Sequence, residues 1–153
     1  MKKTSAGILL FRKNKQEREF FLVHFGGPFW KNKLEGAWSI PKGECEKEES
    51  FLETALREFK EETGFTPGGD FIPLLPITQK SGKSVYAWAL AMDADPEKIS
   101  SNMVTITLAS KKQIHFPEID KAAWFTKSTA KKLIISAQFA FIEELENILS
   151  AES

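Results

Sequence analysis

The chain has 153 residues, of which 42% are hydrophobic and 27% charged, a composition typical of a folded globular protein and unlike that of a disordered segment. Its length suits one domain, which we expect to cover residues 1–153. Lys+Arg and Asp+Glu number 21 each, and this balance argues against a general nucleic-acid-binding protein, which normally carries a basic excess.

Apolar segments near the start of the chain predict strands. Residues 4–11 and 19–25 predict two buried strands, joined as a hairpin across the polar residues 12–18. Residues 37–40 predict a third, short strand. Pro41-Lys42-Gly43 is then expected to end that strand and to open a loop.

An amphipathic helix is predicted from Ser50 onwards. Ser50 followed three residues later by Glu53 is a capping-box pattern. The apolar stripe at helical spacing consists of Leu52, Ala55, Leu56 and Phe59. Gly64 follows the last turn, where a left-handed residue commonly ends a helix.

The second half of the chain predicts more strands and a terminal helix. The strands are expected at residues 71–79 and 83–92 as a hairpin, and at 103–109 and 121–125; a weak helical turn is expected at 128–135 and a helix with an apolar face over 139–149. Strands on both sides of one helix, followed by a last helix, predict an α+β fold or a mixed-sheet sandwich.

Three acidic residues on the predicted helix are candidates for binding a cation. Glu58, Glu61 and Glu62 occupy positions i, i+3 and i+4, so their carboxylates leave the same side of the helix. Crowded anions repel one another, and a hard divalent cation, which prefers carboxylate oxygen, is the natural compensating charge. For a single Glu-rich turn, a solvated helix face paired with Lys and Arg is the alternative.

The spacing around these residues identifies a family. From Gly43 the sequence runs five residues to Glu49, seven more, and then Arg57-Glu58-Phe59-Lys60-Glu61-Glu62-Thr63-Gly64-Phe65. This frame resembles the signature of the Nudix hydrolase family at every fixed position, whereas a solvated helix face would not reproduce the whole frame. The resemblance implies an α/β/α sandwich with a mixed β-sheet, in which the motif forms a loop–helix–loop.

The resemblance also implies a metal centre. Glu58, Glu61 and Glu62 would be catalytic metal ligands, with the backbone carbonyl of Lys42 as a further ligand, for Mg²⁺ or alternatively Mn²⁺. Many family members add a catalytic glutamate from outside the motif. Glu118 is the candidate here, and an exposed loop carboxylate is the alternative.

Four other motif positions are expected to be structural. Glu49 and Arg57 would form a pair that fixes the loop against the helix. Gly43 and Gly64 would be required for backbone conformations that glycine enters freely.

Three residues are candidates for substrate binding. Lys42 and Lys83 are expected to contact phosphate, and the Tyr86 ring to stack on a nucleobase. The alternatives are a solvated hairpin turn for Lys83 and core packing for Tyr86.

These features predict a Mg²⁺-dependent pyrophosphohydrolase that acts on a small-molecule nucleoside diphosphate derivative. Pro41-Lys42-Gly43 resembles the motif entry of diadenosine polyphosphate hydrolases and favours a dinucleoside polyphosphate. The alternatives are an oxidised nucleoside triphosphate, ADP-ribose, a nucleotide sugar, a diphosphoinositol polyphosphate, or a nucleotide-sensing domain without turnover. The sequence does not indicate an oligomeric state.

The expected location is the cytoplasm. No apolar run approaches the length of a membrane span, so no membrane association is expected, and the run Ala6–Phe11 is too short for the core of a signal peptide. Cys45, the single cysteine, excludes an internal disulfide and a thiolate metal cluster, which fits a reducing compartment.

Overall fold

The computed structural model describes residues 3–152. The strands are β1 Thr4–Asn14, β2 Glu17–Phe25, β3 Trp38–Ser39, β4 Lys42–Glu44, β5 Phe71–Pro73, β6 Ile77–Thr78, β7 Ser84–Ala91, β8 Met103–Thr107, β9 Gln113–Pro117 and β10 Ile119–Thr126. The α-helices are α1 Phe51–Thr63, α2 Lys127–Leu133 and α3 Phe139–Ala151. Within the described residues, no helix has both the length and the hydrophobicity needed to cross a membrane.

Eight of the strands form one mixed sheet. Its central path has the order β10-β2-β1-β7-β5, and β3, β4 and β6 pair with β2, β1 and β7 respectively. The pairing of β1 with β7 is parallel, and the other pairings in this sheet are antiparallel. Strands β8 and β9 form a separate antiparallel pair. The predicted mixed sheet is therefore confirmed.

Side chains alternate along the central strand β1, so both faces of the sheet carry apolar residues. A helix covers each face. On β1, Ile8 packs in one buried cluster with Phe59 of α1. Its neighbour Leu9 points to the opposite face and packs in a second cluster with Leu145 of α3. Both clusters are fully shielded from solvent at these positions. The predicted α/β/α sandwich is thus confirmed, and α1 lies against the sheet that supports the motif.

Several local predictions need correction. Residues 42–44, expected as a loop, form β4 and pair with β1. The polar stretch 12–18 belongs mostly to the two strands, which leave only Lys15 and Gln16 for the turn. The strand expected at 71–79 is split into β5 and β6, and Pro76 lies in the gap, where its missing N–H cannot join a ladder.

A buried glutamine joins the end of the chain to the segment before the motif. The Gln138 side-chain oxygen accepts a hydrogen bond from the Ile40 N–H at 3.0 Å. Its side-chain nitrogen lies 3.0 Å from Ser39 Oγ and donates to Gln79 Oε1 at 3.1 Å. Gln138 is fully buried, so these bonds replace those that water would make.

Candidate active site

Helix α1 is fixed at both ends. Ser50 Oγ accepts a hydrogen bond from the Glu53 N–H at 3.1 Å, and the Glu53 carboxylate accepts one from the Ser50 N–H at 3.0 Å. Gly64 ends the helix with φ 82°, and its N–H donates to the Lys60 carbonyl at 2.8 Å. Because Phe59 is buried against the sheet, the rotation of the helix about its axis is also set.

The motif helix borders a cleft of about 330 Å³. The residues that line it are Ser5, Phe25, Lys42, Gly43, Glu44, Glu58, Glu61, Glu62, Lys83, Asn102 and Glu118. The three motif glutamates, Glu118 and the two predicted phosphate-binding lysines therefore share one cleft.

Gly43 has no space for a side chain. A Cβ atom there would lie 2.0 Å from the Glu58 carboxyl carbon. Gly43 is not one of the described residues with positive φ. The expectation that it is needed for a backbone conformation that only glycine enters freely is therefore wrong. Glycine is instead required because Glu58 packs directly against the backbone of β4.

Arg57 connects the motif carboxylates. Its guanidinium donates to both oxygens of Glu49 at 2.6 and 3.0 Å, to Glu58 at 3.0 Å and to Glu61 at 3.3 Å. It also donates to the Glu44 carbonyl at 3.2 Å. The hydrogen bond from Arg57 lowers the pKa of Glu49 to about 2, with a smaller effect from Thr54. Arg57 thus holds the loop before α1 against the helix.

Glu62 is the most deeply buried of the motif glutamates, with 4% of its surface exposed. It accepts a hydrogen bond from the Lys42 N–H at 3.2 Å. Burial raises its pKa well above the ordinary value, and the nearby charges of Glu118 and Glu58 add to the rise. Burial is also the main cause of the raised Glu58 pKa, followed by repulsion from Glu61.

Lys42 only partly compensates for this charge. Its own pKa is lowered, first by burial and then by repulsion from Lys83. The Lys83 ammonium in turn lies 3.5 Å from Glu44. Glu62 is therefore a buried carboxylate that lies near other carboxylates, and the lysine beside it has a lowered pKa. Such surroundings favour the binding of an additional positive charge.

The donor set fits a hard divalent cation, although the carboxylates do not converge on one point. Among residues 3–152, no three His, Cys, Asp or Glu side chains form a complete metal-binding cluster. The reason is that Glu58 and Glu61 turn to Arg57, whereas Glu62 turns to the Lys42 N–H. Glu58, Glu61 and Glu62 offer oxygen ligands of the kind that Mg²⁺ and Mn²⁺ prefer, and the buried Glu62 lacks a full counter-charge.

Some residues lie elsewhere than the sequence predicted. Tyr86 is not among the cleft-lining residues; its ring stacks on Phe51 with 4.1 Å between centroids and 15° between planes. Conversely, Ser5, Phe25 and Asn102 line the cleft but were not predicted. Their chain positions carry no motif, and only the pairing of β1 with β4 brings Ser5 opposite Glu44.

The sequence matches the NUDIX domain family over residues 1–145. The chain belongs to the Nudix family. Two curated relatives are similar to parts of it. The mRNA-decapping protein g5R of African swine fever virus (isolate Warthog/Namibia/Wart80/1980) is 33% identical over 92 residues, which cover 57% of this chain and 36% of that protein. A probable DHNTP pyrophosphohydrolase of Lactococcus lactis subsp. cremoris is 44% identical over 61 residues, covering 40% of this chain and 30% of that protein.

The matches to these curated relatives therefore span about a third of their length. A solved structure extends the similarity to the whole fold. The Ap4A hydrolase of C. elegans, crystallised as a binary complex, matches with a TM-score of 0.69 at 21% identity and covers 97% of this chain and 98% of its own. At this level of identity, the match places the present chain in the same fold.

Proposed function

We propose that this Nudix protein hydrolyses a phosphoanhydride bond in a nucleoside diphosphate derivative, with Mg²⁺ or alternatively Mn²⁺ as its cofactor. The products would be a nucleoside phosphate and a second phosphorylated compound. The observation that carries the proposal is the burial of Glu62 beside Glu58 and Glu118 in one cleft, without a full counter-charge.

The chemistry follows from the charge of the substrate. The oxygens of a diphosphate repel an incoming nucleophile, and a divalent cation, when bound, neutralises that charge and lowers the pKa of water. Glu58, Glu61 and Glu62 would hold the cation. The raised pKa of Glu58 suits a group that accepts a proton from the attacking water.

Cations from the protein would bind the rest of the phosphate chain. Lys42 and Lys83 both line the cleft and face its carboxylates, so their ammonium groups would pair with phosphate oxygens. Glu118 enters the cleft from outside the motif and would act as a second acid–base group. The hydroxyl of Ser5, which is fully buried and has no hydrogen-bond partner within residues 3–152, is a further polar group at this border.

For the substrate, we propose a dinucleoside polyphosphate. The support is Pro41-Lys42-Gly43 at the motif entry and the fold match to a protein named Ap4A hydrolase over nearly its full length. The reaction would take place in the cytoplasm, and the single cysteine, Cys45, is consistent with a reducing compartment.

The test is a substrate panel in Mg²⁺, in Mn²⁺ and in EDTA. It would contain a dinucleoside polyphosphate, an oxidised nucleoside triphosphate, ADP-ribose, a nucleotide sugar and a diphosphoinositol polyphosphate, with products separated by chromatography. We expect cation-dependent turnover that is highest for the dinucleoside polyphosphate. Glu58→Gln and Glu62→Gln should each lower kcat by about 10²-fold or more, because they remove an anionic oxygen from the cleft.

The control variant is Glu143→Gln, which changes an exposed carboxylate of α3 in the same way. Equal turnover in EDTA would refute the cation requirement. Binding of a nucleotide in calorimetry with no turnover of any compound would instead favour the nucleotide-sensing alternative.

A further inference from the structure

A fully buried histidine lies close to the cleft but is not one of its lining residues. His24 Nδ1 is 2.8 Å from Asp120 Oδ1, and Nε2 donates a hydrogen bond to the Lys33 carbonyl at 2.7 Å. Its ring also contacts Trp38 edge-on, with 5.2 Å between centroids. Both ring nitrogens therefore have oxygen partners, and the orientation of the ring is fixed.

The aspartate that contacts His24 is the extra residue of a β-bulge. Between β2 and β10, Ile119 pairs with Phe25 and Lys121 pairs with His24, so Asp120 has no partner across the ladder. A bulge bends its strand and changes the direction of the side chains around it. The contact with His24 holds the bulged residue in place from the neighbouring strand.

This bulge adjoins Glu118, the carboxylate that enters the cleft from outside the motif. The Glu118 N–H donates to the Asn102 carbonyl at 2.9 Å, and its own carbonyl accepts from the Gly26 N–H at 2.8 Å. A Cβ atom on Gly26 would lie 2.0 Å from the Pro117 carbonyl oxygen, so the backbone passes Gly26 at close range. Glu118 lies two residues before the bulged Asp120, at the end of the β2–β10 pairing. The backbone direction at Glu118 therefore depends on the bulge, where Asp120 contacts His24.

We propose that His24 and Asp120 form a positioning pair that fixes the β10 bulge and thereby directs Glu118 into the cleft. The inference rests on the proposed function of the cleft. His24 is a positioning residue in this scheme, because it acts through Asp120 and the backbone and does not reach the reacting atoms. Its bond to Lys33 serves a different purpose, since it ties the segment of residues 27–36 to β2.

Two substitutions separate these two bonds. The side-chain amide of Asn lies near the position of Nδ1, so His24→Asn retains a donor towards Asp120. The longer His24→Gln places its amide near Nε2, retains the Lys33 bond and loses the Asp120 contact. Likewise, Asp120→Asn keeps an acceptor oxygen for the ring, whereas Asp120→Ala removes it.

We expect the variants that lose the His24–Asp120 contact to differ in kcat from those that keep it. His24→Gln and Asp120→Ala should lower kcat by about 10- to 100-fold with KM near the wild-type value, as for a misdirected catalytic group. His24→Asn and Asp120→Asn should retain most of the activity. His115→Gln is the matched control, because His115 is an exposed histidine of β9 that contacts Thr105.

A double variant tests whether the effect passes through Glu118. Glu118→Gln alone should lower kcat by about 10²-fold or more. Adding His24→Gln should then lower it little further, since Glu118 no longer needs to be directed. Multiplied losses in the double variant would overturn the proposal, as would full activity in Glu118→Gln.

Hydrogen exchange provides a readout without catalysis. In His24→Gln, the amides of Gly26 and Glu118 should exchange at least about tenfold faster than in the wild type, while amides in α3 keep their rates. Unchanged exchange at both amides would overturn the positioning role. A wild type that hydrolyses no panel compound would refute the proposed function separately, because the exchange result is measured without substrate.

Discussion

Replacing Glu62 by glutamine should stabilise the cation-free protein while it lowers kcat by about 10²-fold or more. The change keeps the size of the side chain and an oxygen that can accept from the Lys42 N–H. It removes a buried charge that Glu118 and Glu58 repel. Single stabilising substitutions commonly raise the free energy of unfolding by about 0.5–2 kcal/mol, and we expect relief of this repulsion to fall in that range. For a chain of this length, that corresponds to a Tm increase of about 1–8 °C.

The pH dependence of this gain has a definite sign. The Glu62 pKa is raised above its ordinary value of 4.5 by burial and by neighbouring charge. Between that value and the raised pKa, the folded state binds more protons than the unfolded state. The free energy of unfolding of the wild type therefore falls as pH rises through this window. The gain from Glu62→Gln should be small near pH 4.5 and largest above the raised pKa.

The assay is thermal unfolding in EDTA and in Mg²⁺ over a pH series. Mg²⁺ at about 100 times its Kd should stabilise the wild type by about 2.7 kcal/mol, and the variant much less. Glu143→Gln, on the exposed side of α3, should stay within about 0.5 kcal/mol of the wild type. A variant that is less stable than the wild type in EDTA above neutral pH, or that keeps the full Mg²⁺ effect, would refute the reasoning.

Three further variants test other parts of the site. Gly43→Ala places a Cβ 2.0 Å from the Glu58 carboxyl carbon, and should cost about 1–3 kcal/mol in urea unfolding and lower the hydrolysis rate. Arg57→Met removes the cause of the low Glu49 pKa of about 2. The wild type loses the stability from this pair as pH falls from 4.5 towards 2, so unfolding of the variant should depend less on pH there. Ser5→Ala deletes a buried hydroxyl without a hydrogen-bond partner among the described residues, and should leave the free energy of unfolding unchanged or higher.

The features that the sequence predicted best are those with local causes. Helix α1 could be predicted because its capping box, apolar stripe and terminal glycine all lie within fifteen consecutive residues, from Ser50 to Gly64. The same helix carries the three motif glutamates, so their common side followed from the spacing alone. Family membership depended on this segment too, and it is confirmed over residues 1–145.

What could not be predicted depends on contacts between distant parts of the chain. Strand β4 has three residues and exists because β1 offers it a ladder. The bulge at Asp120 appears only when β10 is aligned with β2. The Tyr86 ring was expected to stack on a nucleobase, but it stacks on Phe51 and does not line the cleft. No local pattern distinguishes these outcomes, because each depends on which strands become neighbours.

The polar contacts of Gln138 have a consequence for the architecture of the molecule. This residue precedes the last helix, yet its amide oxygen is the partner of a main-chain nitrogen at Ile40, three positions before the signature starts at Gly43. The geometry of the motif entry is therefore completed from the far end of the polypeptide. A shortened chain that stops before Gln138 would retain every signature residue, yet it would lose this hydrogen bond together with the core contacts of α3, so the signature alone does not build the motif entry.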